Sequence, residues 1–177
     1  MTKLLADTAL AALRQQPAEG VADVWTDGDL GFVLLLHRRK DGAMAEELYC
    51  AQRAEDGTWD RPEHLNGGLL GLDPGNDPTA VTTALAGEPI RVLSASETLL
   101  HTGRGEEDGY ETAHIWQLLI TPEADALTTE STHRKVTSPL SLLILFPGET
   151  AHVSATRDAR PLGAPLTLSA PTRPEVG

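Results

Sequence analysis

Ala6, Leu10 and Leu13 recur at helical spacing with Leu5 and Ala9 beside them. With Thr2 as a cap, that spacing predicts an amphipathic helix over about residues 3–16, ended by Pro17 and Gly20. From Val21 onward the period falls to two: in "ETAHIWQLLI", Thr112, His114, Trp116 and Leu118 share one face while Ala113, Ile115, Gln117 and Leu119 share the other. Phe32–Arg38 and Glu47–Arg53 flank "KDGAMAE", and Asp56-Gly57 supplies a second tight turn before a short extended piece carrying Trp59, His64 and Leu65. "NGGLLGLDPGNDPTA" then reads as an irregular excursion, and residues 79–87 fit a short helix or a strand equally. Further strands are expected over 90–102, 110–121, 127–137, 140–146 and about 150–156, with "GRGEEDG" as a hairpin loop, a short edge at 166–169 and a frayed tail at 170–177.

Three runs break the alternation. "FVLLL" (Phe32–Leu36), "LLI" (Leu118–Ile120) and "LLILF" (Leu142–Phe146) are apolar on both faces. Neither side of such a strand can face water without exposing a contiguous apolar patch. The expected fold is therefore mainly β: an antiparallel β-sandwich or partly closed barrel of about eight or nine strands in one domain, residues 1–177, with one N-terminal α-helix. That helix is the candidate lid for the second face. A second copy or a protein partner on an apolar sheet face is the alternative, making a homodimer possible.

Length changes the picture only by making this plausible, since 177 residues can bury a self-sufficient core. Charge narrows the partners: 14 Lys plus Arg against 26 Asp plus Glu give −12, which opposes a phosphate backbone and makes nucleic acid an unsuitable ligand. The apolar run between Pro139 and Pro147 is too short to cross a bilayer as a helix, so no membrane association is expected. Cys50 stands alone in "ELYCAQ" and reads as a small buried hydrophobe, compatible with a reducing, cytoplasmic setting.

Chemistry has few sequence handles. His37, His64, His101, His114, His133 and His152 occur singly, without the pairings that announce zinc. "TDGDLG" and "DPGNDP" carry calcium-type oxygen ligands, but they also carry ordinary turn formers and lack a full twelve-residue loop. No Gly-x-Ser-x-Gly elbow or Walker-type lysine is present. "GRGEEDG" departs from a dinucleotide glycine pattern in its last spacing and its three acids. "EDGTWD" resembles the Asp-Gly-x-Trp turns of propeller-type lectins and sialidases; it occurs once where those folds repeat it, so no residue role transfers.

The functional expectation is a non-enzymatic binding or interaction module with no catalytic residues, metal or cofactor assigned. Trp25, Trp59, His114 and Trp116 are the candidate ligand-binding residues. A ligand carrier would show a cavity of a few hundred cubic ångströms lined by the two-sided strands, with Trp116 or Trp25 at its mouth (on the scale usual for ligand sites). One alternative is an acidic inhibitor or immunity-type protein directed at a basic partner. The other is a small hydrolase or metal-dependent enzyme with a His/Asp site on loops, which a pocket holding two histidines near a carboxylate would favour.

Overall fold

A computed structural model describes residues 1–103 and 109–172. Residues 104–108 of the "GRGEEDG" loop and the tail from 173 onward lie outside the described residues. Helix α1 (Thr2–Leu13) leads into β1 (Val21–Asp27), β2 (Leu30–Arg38), β3 (Met44–Gln52) and β4 (Glu63–Leu70). These four form an antiparallel sheet in chain order. Helix α2 (Pro78–Leu85) follows, then β5 (Ile90–His101) and β6 (Tyr110–Ile120). The remaining strands are β7 (Ala126–Thr128), β8 (His133–Lys135), β9 (Leu140–Leu145), β10 (Thr150–Arg157), β11 (Arg160–Pro161) and β12 (Leu166–Ser169).

The second sheet has the order β5-β6-β9, and the third runs β11-β10-β7-β8 with β12 also on β10. The fold is thus a mainly β sandwich-type architecture of three antiparallel sheets that do not close into a barrel. The described residues form twelve strands rather than the expected eight or nine, because several are short pieces separated by turns. The segment 127–137 is two strands, divided where the Thr129 hydroxyl accepts from Ser131 and Thr132 N–H groups at 3.3 and 3.1 Å.

What covers the two-sided strands follows from their alternating faces. Phe32 and Leu34 of β2 pack inward with Leu48, Ile115, Leu142 and Ile144, while Val33 and Leu35 pack outward with Ala9 and Leu13 of α1. The helix therefore lids the first sheet, as its apolar stripe predicts. β6 and β9 have a different cover. Their inner residues meet the first sheet, and Leu118, Ile120, Leu143 and Leu145 meet Leu127, Val153 and Ala155 of the third sheet. The second sheet is the middle layer, and all three runs are shielded on both sides by this same chain.

Local chemistry explains the remaining departures. α1 begins one residue early, with Met1 rather than Thr2 in the cap position and no side-chain cap. It ends before Gln16 because Gln15 adopts φ 57°, letting the Gln15 and Gln16 N–H groups bond Ala12 and Ala11 carbonyls at 3.0 Å. A second helix, α2, resolves the open reading at 79–87: Asp77 accepts from Ala80 N at 2.8 Å, Pro78 starts the first turn, and Ala86 is left-handed at φ 52°. Asn66–Leu70 belongs to β4 rather than to an irregular excursion. No helix among the described residues is long and apolar enough to cross a membrane.

Candidate functional site

The β1 strand runs along one edge of the first sheet and carries Asp23, Trp25 and Asp27 at alternating positions. Strand alternation sends these three to one side. Asp23 closes the inner end: its carboxylate accepts from Leu142 N at 2.7 Å, from the Ser141 hydroxyl at 2.6 Å and from the Arg134 guanidinium at 2.5 and 2.6 Å. Arg134 also donates to the carbonyls of Leu142 and Val24 at 2.7 and 3.2 Å. Its charge is committed to Asp23.

Trp25 meets Phe32 edge to face, with ring centroids 5.7 Å apart, and lines a cleft of about 740 Å³. Leu143–Phe146 of the two-sided strand and the turn from Thr129 to Arg134 supply the other walls. A separate small cavity lies between Trp25, Arg134, Leu118, Leu127 and Val153. Asp27, Glu130 and Glu149 place carboxylates around the cleft.

The other candidate residues lie elsewhere. Trp59 is 8% exposed and packs beneath α1 with Leu13, while the Arg53 guanidinium sits 4.6 Å from its ring centre. Gly31 makes room for this packing, since a Cβ there would lie 2.5 Å from Leu13 and 2.9 Å from Trp59. His114 stacks on Trp116 at 6.2 Å and lies 3.6 Å from the Glu97 carboxylate, so the lone imidazole on that face has its partner. Trp116 packs at the border between the second and third sheets.

A second cleft, of about 800 Å³, was not anticipated from sequence. On the outer face of the first sheet, Glu47 holds two imidazoles: His37 Nε2 lies 3.4 Å from Oε1, and His64 Nε2 is hydrogen-bonded to Oε2. Alternation could have shown that His37 and Glu47 share a face with Val33, Leu35 and Tyr49. The strand pairing that adds His64 could not be read, because β4 carries an extra residue at Leu65, between Asn66 opposite Leu48 and His64 opposite Tyr49. Gly67 is required here, as any side chain would collide with the Glu47 carboxylate.

Nearby groups are buried at a cost. Burial pushes the Glu46 carboxyl above its ordinary range, a Gln117 hydrogen bond opposes that shift, and Glu47 adds to it. Glu46 Oε2 and the Tyr49 hydroxyl are buried without hydrogen-bond partners. Burial, reinforced by Glu47, also raises the Tyr49 phenol.

The second acidic turn, "DPGNDP", spends its carboxylates within the fold. Asp73 binds Asn76 at 3.2 Å and also pairs with Arg38. Asp77 caps α2. Among the described residues, no group of three His, Cys, Asp or Glu side chains is arranged to hold a metal ion. Comparison with protein-family models, curated proteins and solved structures finds no match to the chain.

Proposed function

We propose that this protein binds a small amphipathic ligand in the cleft beside Trp25. The observation that carries the reading is that cleft's composition: an indole and the apolar Leu143–Phe146 wall face a turn rich in hydroxyl groups, in a volume of about 740 Å³. Arg134 is held by Asp23, Glu130 by His152 and Glu149 by the Phe146 N–H, so the cleft offers no uncompensated cation among the described residues, which disfavours anionic ligands. The same reading places the protein in a reducing cytoplasm, with Cys50 as a buried thiol.

The apolar runs lend no support to a partner on a sheet face, since each is covered within the chain. The test is titration with phenethylammonium and 2-phenylethanol, followed by thermal unfolding and calorimetry. Binding by either compound, weakened at least about tenfold in Trp25→Ala, supports the proposal. Binding that is unchanged in Trp25→Ala, or binding by neither compound, overturns it.

A further inference from the structure

The Glu47 cleft lies at the opposite edge of the first sheet from Trp25 and faces away from the sandwich interior. Its chemistry is independent of ligand binding there. An ionised carboxylate only accepts hydrogen bonds, so each neutral imidazole must present Nε2–H to Glu47 and carry its lone pair on Nδ1. Neither Nδ1 has a hydrogen-bond partner among the described residues. The side chains differ in access: His37 is 16% exposed, Glu47 21% and His64 42%. His37 thus steadies the carboxylate from the buried side, Glu47 fixes the tautomer of His64, and His64 is the imidazole open to solvent. This is a base held by an orienting carboxylate, the relationship on which water activation by histidine depends.

Two further groups select what could enter. Lys40 lines the cleft and has no ion-pair partner among the described residues, whereas Arg39 is 3.1 Å from Asp41. Leu69, 64% exposed, gives the same cleft an apolar wall. The bare backbone of Gly67 and Gly68 keeps the floor low.

We propose that this cleft is a hydrolytic acid–base centre for small carboxylic esters bearing a negative charge, with His64 as the catalytic base, Glu47 and His37 as positioning residues and Lys40 as the anion-binding group. His64 Nδ1 takes a proton from water as the water oxygen bonds to the ester carbonyl carbon, and the carbonyl electron pair moves onto oxygen. When that pair returns, the carbon–oxygen bond to the alcohol breaks. The departing alkoxide receives the proton from His64, leaving a carboxylic acid and an alcohol. Water is the only co-reactant.

The test measures release of nitrophenol from 4-nitrophenyl succinate and 4-nitrophenyl acetate by the full chain and its variants, each checked for cooperative unfolding. The expected result is turnover above an equimolar imidazole background, with kcat/KM at least about 100-fold lower in His64→Gln. Lys40→Ala should narrow the preference for the succinate ester through KM. Glu47→Gln, whose amide can also donate and so no longer enforces Nε2–H on His64, should lower kcat with KM little changed. A wild-type rate equal to background, or a folded His64→Gln variant with an undiminished rate, overturns the proposal.

Discussion

Asp23 and Arg134, 111 residues apart in sequence, meet through two contacts of 2.5 and 2.6 Å that join β1 to β8. Because Asp23 also accepts the Leu142 N–H, one carboxylate ties elements of all three sheets together. Asp23→Ala should destabilise the fold by about 2–4 kcal/mol, leaving a partly buried guanidinium and a backbone donor without their acceptor. Urea unfolding measures this, and an unchanged midpoint would show the connection to be energetically idle.

Glu46 should act in the opposite direction. Its carboxyl is raised above 4.5 in the fold, so its favourable contribution is complete below that value and is lost as pH rises through the folded pKa. Glu46→Gln should therefore be more stable than the parent at neutral pH, with the difference shrinking as pH falls toward 4. Equal pH dependence for the two proteins would refute this.

Leu143 is 8% exposed and belongs to the core between the second and third sheets. Leu143→Asp should unfold or aggregate the protein, because a carboxylate there loses its hydration without gaining a counter-charge. A monodisperse variant with unchanged thermal unfolding would show that β9 does not need an apolar neighbour on that side.

Cys50 is 5% exposed, and burial with the nearby Glu63 pushes its thiol up to about 12. At pH 8 a disulfide reagent should modify the native protein at least about 100-fold more slowly than the urea-unfolded chain, since the thiolate is the reactive form. Comparable rates would place this cysteine at the surface.

The sequence made the first-sheet hairpins and the lidding helix readable because their signals are local. Asp41-Gly42 and Asp56-Gly57 turn as expected, with Gly42 and Gly57 at φ 85° and 82°. The β6 alternation likewise assigns Ile115 and Leu118 to opposite faces. Two-sided burial of β9 was also legible, but the identity of its second neighbour was not. Leu127 and Leu166 come from short strands that pair with β10, which carries Val153, through contacts distant in sequence. The site followed the same rule. Trp25 was named from sequence as an aromatic for the mouth of a ligand cavity, whereas His64 reaches Glu47 through a local slip in pairing that residue spacing does not reveal.

Most of the third sheet comes last in the chain. β6 and β9 leave the ribosome before β10 and β12, so Leu118, Leu143 and Leu145 wait for residues 150–169 before their far flank closes. During that interval, nascent chains offer one another the same greasy ribbon that the finished molecule hides. Translation arrest near residue 146 would consequently yield a product in need of chaperone capture, although most of its strands had already been made.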